Sequence, residues 1–284
     1  MMTDDIQEKN GYPSDLTDEE WSILLPIIRE LEAGTRGRPR KVDLRRVVDA
    51  LFYLNKTGCP WRYLPKDFPS YKVVNYYYNK WRANGTWEKI NTALRQRLRE
   101  QCGRRPDPSA AIIDSQSFKG TPESAEESGF DGGKLVKGRK RHIVVDTIGC
   151  VISVDVHAAN IFDGKAAPKL LEKLFLILST IQIIWADMAY GGQALFDWVL
   201  ARFHCVIDVV RKQAEASGFH VLPRRWVVER TFAWLTRSRR LSKDYERTTS
   251  SSESQVYLAS SRLLLRQITG NQIPYKMANT SESY

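Results

Sequence analysis

Hydrophobic and polar residues recur at helical spacing through the first third of the chain. One stripe consists of apolar residues three or four positions apart, at Leu44, Val47, Val48, Leu51 and Leu54. Asp43 stands where a side chain caps the start of that helix, and Gly58 stands where a left-handed residue ends it. A capping box of Thr17 with Glu20 indicates an earlier helix that ends near Leu31.

Two further helices complete an all-helical first segment. The third begins after Ser70, and the fourth spans about 87–101. A Pro-Asp-Pro linker at 106–108 then interrupts the helical pattern. We therefore predict a leader at 1–15 and an all-helical domain at 16–105.

After the linker, short apolar runs alternate with amphipathic stretches. We predict strands over 110–113, 141–146, 151–157, 181–185 and 205–210. We predict helices over 166–177, 192–203, 225–241 and 252–268. Residues 119–141 are rich in glycine, serine and charge, and we interpret them as a mobile loop. This order predicts a mixed α/β layer fold over 109–270, followed by a tail at 271–284.

The chain carries an excess of positive charge. Its 284 residues include 43 Lys and Arg against 33 Asp and Glu, which gives a formal net charge of +10. This charge predicts a polyanionic partner, nucleic acid before membrane. The longest apolar runs are too short to cross a bilayer, and the four cysteines form no CxxC pair that would favour a zinc site. Because the N-terminus is polar and acidic, unlike a signal peptide, we expect a cytoplasmic protein.

Three acidic residues are candidates for a metal site. Asp114 and Asp187 each stand at the end of a predicted buried strand. Acids at the ends of adjacent strands meet at one sheet edge, where their oxygens suit Mg²⁺ or Mn²⁺. Glu229, on a helix packed across that edge, is the candidate third ligand of a site for two ions.

Glu229 lies at the centre of one stripe of its predicted helix. At about 100° per residue, Arg225 lies about 40° to one side of it and Arg240 about 20° to the other. Arginines beside a metal-binding carboxylate suit a phosphodiester substrate. Spacing alone nevertheless favours a plainer alternative. Acids after strands are common, and an Arg–Glu pair four residues apart is usually a solvated surface pair.

The segments around these acids resemble those of a known family. They read Ile-Ile-Asp-Ser-Gln-Ser at 112–117, Ala-Asp-Met-Ala-Tyr-Gly-Gly at 186–192 and Arg-Trp-Val-Val-Glu-Arg-Thr-Phe-Ala-Trp-Leu at 225–235. Further similar segments lie at 61–65, 77–81, 137–142 and 157–160. In this order, over about 16–266, they resemble insertion-sequence DDE transposases, in particular the short-chain group of insertion sequence family five.

The resemblance implies a ribonuclease-H-like mixed sheet with flanking helices that binds two divalent ions, Mg²⁺ or Mn²⁺. The implied catalytic and metal-binding triad is Asp114, Asp187 and Glu229, with gaps of 73 and 42 residues. The second gap leaves no room for the large β insertion of some relatives. Arg225 fits the arginine of the family's Tyr–Arg–Glu–Lys signature. Leu222 and Thr236 stand where the tyrosine and lysine are expected, so those two positions do not match.

The reaction that the resemblance implies is phosphoryl transfer without a covalent enzyme intermediate. One ion activates a water that attacks the phosphodiester at the element's end, and the other stabilises the leaving 3′ oxygen. The freed 3′-OH then attacks target DNA. The implied partners are therefore double-stranded DNA at the element's terminal inverted repeats and at the target, and pairing two ends implies a homodimer on DNA.

Basic residues outside the triad are candidates for DNA contacts. Arg36, Arg38 and Arg40 lie in a linker whose Arg-Gly-Arg-Pro run resembles an AT-hook core, although a solvated linker is the plainer interpretation. Lys72, Lys80 and Arg82 lie in a candidate helix-turn-helix, so we predict that the helical domain at 16–105 is a DNA-binding domain. The others are Lys137, Arg139, Lys140 and Arg141 in the predicted loop, and Arg225, Arg237 and Arg240 beside Glu229.

These patterns together favour a DNA transposase that works in the cytoplasm, on the nucleoid. Two alternatives stay open. One is a ribonuclease-H-like nuclease that cuts DNA without strand transfer, and the other is a DNA-binding regulator whose acids are structural.

Overall fold

A computed structural model describes residues 11–32, 42–210 and 224–270. The first part of the chain is helical, with α1 (Asp18–Leu31), α2 (Leu44–Thr57), α3 (Tyr71–Ala83) and α4 (Thr86–Gln101). Within the described ranges, no helix combines the length and the apolar character that crossing a bilayer requires.

Local capping sets the ends of these helices and confirms the predicted boundaries. Thr17 and Glu20 form the reciprocal capping box at the start of α1. The side chain of Asp43 accepts the backbone N–H of Arg45 at the start of α2. Gly58 ends α2 in the left-handed region, with φ of +73°, where any residue with a Cβ is strained.

The rest of the described chain forms a mixed sheet with helices. Its strands are β1 (Ala110–Lys119), β2 (Gly129–Asp131), β3 (Val136–Asp146), β4 (Val151–Ala158), β5 (Ile183–Ala186) and β6 (Val206–Val209). Its helices are α5 (Asp163–Ile177), α6 (Gln193–Phe203), α7 (Trp226–Leu235) and α8 (Thr249–Ile268). β1 pairs antiparallel with β3 and parallel with β5, which pairs parallel with β6. β3 also pairs with β4 and, at its start, with β2.

Three predicted elements differ from the structure. Residues 119–141 are not a mobile loop, because they contain a short 3₁₀ helix, β2 and the first half of β3. β1 continues to Lys119, since all of its second half pairs with β3. The helix predicted over 225–241 ends at Leu235.

The sheet is covered on both faces. Alternate residues of β1 face opposite sides, so Ile113 packs with Leu170 and Leu171 of α5 on one side. Ile112 belongs to the other hydrophobic cluster, with residues of α1–α4, α7 and α8. A layer of α5 and α6 and a layer of the remaining helices therefore enclose the sheet.

The first four helices share their core with α8 and the sheet. The amide of Asn55 in α2 donates to the side chain of Gln255 in α8 at 2.9 Å, in a buried contact. The amide of Asn91 in α4 donates to the carbonyl of Val151 in β4 at 2.7 Å. Because these polar groups are buried and bonded across elements, they fix how the helical segment sits on the sheet.

Candidate active site

Asp114 and Asp187 lie side by side on neighbouring parallel strands. β1 pairs with β5 with Ile112 opposite Trp185, and each aspartate comes two residues later in its strand direction. Continuing that register brings Asp114 opposite Asp187, on the sheet face that carries Ile112. Asp187 follows the last residue of β5 as predicted, whereas Asp114 lies in the middle of the longer β1.

Backbone amides hold one oxygen of each aspartate. Oδ1 of Asp114 accepts the N–H of Ser115 at 2.7 Å. Oδ1 of Asp187 accepts the N–H of Ala189 at 2.9 Å, which caps a short 3₁₀ helix, Met188–Tyr190. Both side chains are therefore oriented by the backbone, and in each the second oxygen, Oδ2, faces Arg225.

Glu229 is carried by α7, which is anchored to the turn between β3 and β4. The hydroxyl of Thr231 donates to the carbonyl of Gly149 at 2.9 Å, and Arg230 donates to the carbonyl of Ile148 at 3.0 Å. Gly149 has φ of +92°, and a Cβ there would lie 3.0 Å from the Thr231 hydroxyl, so the close approach of α7 requires glycine. The anchored face leaves Glu229 on the opposite side of the helix.

The three acids converge on the guanidinium of Arg225. Its Nη2 lies 3.8 Å from Asp114, 3.8 Å from Asp187 and 3.7 Å from Glu229. Since each carboxylate oxygen is this close to one atom, no two of them can be farther apart than about twice that distance. The predicted triad therefore meets at one place, and Arg225 lies at its centre.

Burial decreases from Asp114 outward to Glu229. Side-chain exposure is 13% for Asp114, 27% for Asp187 and 54% for Glu229. Burial raises the pKa of Asp114 to about 6, against the hydrogen bond from Ser115 and the charge of Arg225, which lower it. The innermost acid thus loses hydration, and a bound cation would restore its charged form.

The donor set fits a hard divalent ion by its chemistry, because carboxylate oxygens are the ligands that Mg²⁺ and Mn²⁺ prefer. Asp114, Asp187 and Glu229 are the residues that would hold it. Over the described ranges, however, no group of three acidic, histidine or cysteine side chains is already arranged around a shared point for an ion. The three acids are arranged around the guanidinium of Arg225.

Lys134 is a site residue that the sequence did not suggest. Its charge lowers the pKa of Asp114, and its ammonium lies 3.4 Å from the carbonyl of Ser115. It stands in the turn between β2 and β3, which the sequence presents as an undifferentiated basic loop. Only the pairing of β1 with β3 brings this turn to Asp114, so no local signal could have identified it.

Three predicted DNA contacts, Arg139, Lys140 and Arg141, are buried in β3. Arg139 donates to Asp244 at 2.8 Å, and Lys140 donates to Asp163 at 2.8 Å. Arg141 donates to the carbonyl of Leu241 and stacks on the ring of Phe118, 4.0 Å from its centre. All three charged groups contact other residues inside the protein. This stretch is therefore not the solvated DNA-binding loop that the sequence predicted. Lys137, at the start of the strand, is exposed.

Arg240 also differs from its prediction. It lies beyond the end of α7 in a short 3₁₀ helix, so the helical angle that placed it beside Glu229 does not apply. Its side chain is buried and donates to Glu246 at 2.7 Å. Arg237, two residues after α7, is exposed.

The candidate contacts on α3 lie in three different settings. Lys72 is exposed, whereas Lys80 pairs with the buried carboxylate of Glu32 at 3.0 Å. Arg82 donates to the hydroxyls of Thr248 and Ser250, at the start of α8. The candidate AT-hook residues Arg36, Arg38 and Arg40 lie outside the described residues.

Comparison with protein families identifies the family to which the chain belongs. The family described as "Transposase DDE domain" matches residues 105–264, more than half of the chain and all three acids. The chain belongs to this DDE transposase family. A second family, described as "Putative transposase of IS4/5 family", matches residues 16–91 of the same DDE protein. A DDE domain implies a ribonuclease-H-like fold, and the mixed sheet enclosed by helices agrees with it.

Curated relatives of this DDE chain are insertion-element proteins or have no stated function. A "Putative transposase for insertion sequence element IS402" from Burkholderia cepacia is 31% identical over 147 residues, 48% of this chain and 65% of the relative. An "Insertion element IS402 uncharacterized 16.2 kDa protein" from the same organism is 25% identical over 37% of this chain and 72% of its own length. An "Uncharacterized protein y4sN" from Sinorhizobium fredii is 25% identical over 42% of this chain and 88% of its own length. The chain thus spans just under two thirds of the first relative.

Proposed function

We propose that this protein is a DNA transposase that binds the terminal inverted repeats of an insertion element, cuts them and joins them to target DNA. The observation that carries the proposal is the position of Asp114, Asp187 and Glu229 around one guanidinium nitrogen, within a domain of the DDE family. Carboxylates held by a rigid sheet and an anchored helix are what metal-assisted cleavage of a phosphodiester requires.

Each site residue has a distinct part in this proposal. Asp114 and Asp187, oriented by backbone amides, supply fixed oxygens, and Glu229 closes the site from α7. Two divalent ions, Mg²⁺ or Mn²⁺, would supply the activation of water and the stabilisation of the leaving 3′ oxygen. Arg225 and Lys134 are placed to bind the phosphate whose bond is broken, because both lie beside Asp114.

DNA outside the active site would be bound by exposed cations. Lys72, Lys137 and Arg237 are exposed and remain candidates from the sequence, together with the partly exposed Lys80 and Arg82 and with the 36–40 linker. Pairing two element ends requires two active sites, so we propose a homodimer on DNA, associated with the nucleoid.

Cleavage of an element end by the purified full chain tests the triad. We expect Asp114→Asn, Asp187→Asn and Glu229→Gln each to abolish Mg²⁺-dependent nicking while the affinity for the end is retained. Asp197→Asn is the matched control, because Asp197 is an acid on α6 whose only described partner is Gln193 of the same helix. Mg²⁺-dependent nicking by a folded triad variant would refute the assignment.

Joining of the cut end to a second duplex separates the transposase from the two alternatives. Cleavage and joining together support a transposase. Cleavage without joining, in the presence of target duplex, would indicate a nuclease of the same fold. End binding without cleavage in either Mg²⁺ or Mn²⁺ would indicate a regulator whose acids are structural.

A further inference from the structure

The guanidinium of Arg225 is held among the three acids by charge and not by hydrogen bonds. Its distances of 3.7 and 3.8 Å to the three carboxylates exceed the usual range for an N–H···O bond. Its buried Nε has no hydrogen-bond partner among the described residues. Such a side chain neutralises the acids but has no directional bond to break when it leaves.

A divalent ion bound to the same oxygens would occupy the space of the Arg225 guanidinium. It would also take over the neutralisation of the three carboxylates. Oxygen ligands lie about 2.0–2.2 Å from Mg²⁺ or Mn²⁺, whereas each acid here lies nearly twice as far from Nη2. The acids must therefore close in around the ion, and the guanidinium would face a like charge at short range. A guanidinium that stays among the three carboxylates would therefore occupy the space that the ions need.

We propose that Arg225 is an internal counter-cation that competes with the divalent ions for Asp114, Asp187 and Glu229. It neutralises the acids until its guanidinium moves away, and only then can they bind the ions. This inference rests on the proposed function, because it assumes that the three acids are the metal ligands.

The position that Arg225 adopts when it leaves follows from its chemistry. A guanidinium binds a phosphate through two parallel hydrogen bonds, which is a better partner than three carboxylates beyond hydrogen-bonding distance. A DNA phosphate that enters the cleft would therefore draw the side chain off the acids. DNA then strengthens binding of the ions, and by reciprocity the ions strengthen binding of DNA.

Calorimetric titration of the full chain with Mn²⁺, without DNA, tests the competition. We expect Arg225→Gln to bind Mn²⁺ roughly tenfold or more tightly than the wild type, because the competing charge is gone. In EDTA the same variant should unfold at a lower temperature than the wild type, because the acids then repel one another, and Mn²⁺ should raise that temperature by more than it does in the wild type. Arg225→Met serves if the glutamine variant does not fold.

The matched control is Arg224→Gln, the neighbouring arginine, which is exposed and stacks on Trp185 at 4.3 Å from the ring centre. Its Mn²⁺ affinity should stay within twofold of the wild type. Equal or weaker Mn²⁺ binding by folded Arg225→Gln would overturn the proposal.

Coupling with DNA gives a test that needs no variant to fold. Mn²⁺ should bind the wild-type complex with a short duplex more tightly than the free protein, after the heat of titrating the duplex alone is subtracted. If the duplex does not raise the Mn²⁺ affinity of the wild type, the proposed competition between Arg225 and the ions is wrong. Failure of the proposed function would give a different result. In that case the Asp114→Asn variant would bind Mn²⁺ as tightly as the wild type does.

A second, independent observation concerns cations beyond the end of α7. Lys56 donates to the carbonyl of Arg237 at 3.0 Å, and a cavity of about 140 Å³ beside them is also lined by Arg262 and Arg266. Burial and the charges of Arg266, Arg237 and Arg239 lower the pKa of Lys56. Arg262 is already paired with the carboxylate of Glu20. The charges of Lys56 and Arg239 lie close enough to repel one another unless an anion joins them.

The position of this basic cluster, defined as Lys56, Arg237, Arg239 and Arg266, suits DNA that leaves the active site. Arg237 follows Glu229 by eight residues along and just past α7, which is about 12 Å at the rise of an α-helix. A duplex with a phosphate at Glu229 that runs along α7 would pass this end of the helix. We infer that the basic cluster binds the phosphate backbone of that duplex.

The salt dependence of duplex binding tests this surface by fluorescence anisotropy. The double variant Lys56→Ala/Arg239→Ala should weaken binding and reduce the slope of log Kd against log salt by about two, since each phosphate contact contributes about 0.9. The matched control is Lys89→Ala/Arg97→Ala, which removes one exposed lysine and one exposed arginine from α4. An unchanged slope, or an equal loss of slope in the control variant, would show that the basic cluster does not bind the duplex. Absence of wild-type duplex binding would instead count against the proposed function.

Discussion

Arg139 fixes β3 to the segment that precedes α8. It donates to Asp244 and to the carbonyls of Glu246 and Arg247, and both partners of the ion pair are buried. Breaking a buried ion pair is costly because the remaining charge has no partner. We therefore expect the residue to contribute to stability and not to DNA affinity.

A pair of substitutions on this strand separates the two roles. Arg139→Lys should lower the free energy of unfolding by about 1–3 kcal/mol, because lysine cannot reproduce the forked contacts. Lys137→Ala, at the exposed start of β3, should leave that free energy within about 0.5 kcal/mol and should reduce the salt slope of DNA binding by about one. Denaturant unfolding and anisotropy measure the two effects. A stable Arg139→Lys protein with weakened DNA binding would contradict the structural role.

The ionisation of Asp49 makes the stability of the folded protein depend on pH. Its side chain is 2% exposed, and burial raises its pKa to about 6, although the N–H of Leu16 donates to it at 2.9 Å. The folded state then holds a proton that the unfolded chain has already lost, so stability falls as the pH rises from about 4 to 6.

Asp49→Asn should remove this dependence while keeping an oxygen acceptor for Leu16. Relative to the variant, the wild type should lose roughly 1–3 kcal/mol of stability as the pH rises through that range. Thermal unfolding of both proteins between pH 4 and pH 8 measures the difference. If the unfolding temperatures of the two proteins change with pH in parallel, Asp49 ionises normally in the folded state.

Among the elements, the short helix that follows Asp187 is tied to the sheet by one side chain. Tyr190 is buried, and its hydroxyl lies 3.0 Å from Nδ1 of His142 in β3. Burial lowers the pKa of His142, so its ring stays neutral and can accept this hydrogen bond at neutral pH. Tyr190 thereby holds the turn in which Asp187 stands.

Tyr190→Phe should loosen that turn without removing any ligand. We expect Mn²⁺ affinity to fall roughly tenfold, the size typical of lost support behind a metal ligand, while duplex binding measured without Mn²⁺ is unchanged. Tyr63→Phe is the control, since Tyr63 is 78% exposed. Wild-type Mn²⁺ affinity in Tyr190→Phe would show that the backbone alone holds Asp187.

The elements that the sequence predicted well are those that end on local signals. The caps at Thr17, Asp43 and Ser70 and the glycine at 58 act within a few residues, so spacing suffices to locate them. The charged start of β3 could not be predicted, because Arg139 is buried by Asp244, a partner 105 residues away. α7 ends early for a similar reason, since Arg240 turns inward to Glu246 and not along the helix.

At the scale of the molecule, the sequence could nominate the three acids but not their arrangement. Their meeting depends on the register of β1 against β5 and on the contact of α7 with the β3–β4 turn, neither of which is local. The sequence placed Arg225 on the stripe of Glu229 as a phosphate contact. Its position among all three carboxylates became visible only in the structure. The catalytic assignment of the triad stays a prediction.

The shared core predicts that the chain unfolds as a unit. Residues of α1–α4 and α8 and of one sheet face belong to the same hydrophobic cluster, and buried hydrogen bonds such as Asn55 to Gln255 cross between them. Calorimetry of the full chain should therefore give a single transition whose calorimetric and van't Hoff enthalpies agree. Two separate transitions would show that the helical segment is an independent domain.

The place of α8 in the order of synthesis has a consequence for how the protein forms. α8 spans Thr249–Ile268, yet its buried residues complete the core of α1–α4, which are synthesised before it. A nascent chain that has reached the third acid still exposes the apolar faces of α2 and α4, because their covering helix is not yet made. Formation of this shared core therefore waits until α8 has been synthesised, and chaperones that hold exposed apolar segments should bind the chain before that point.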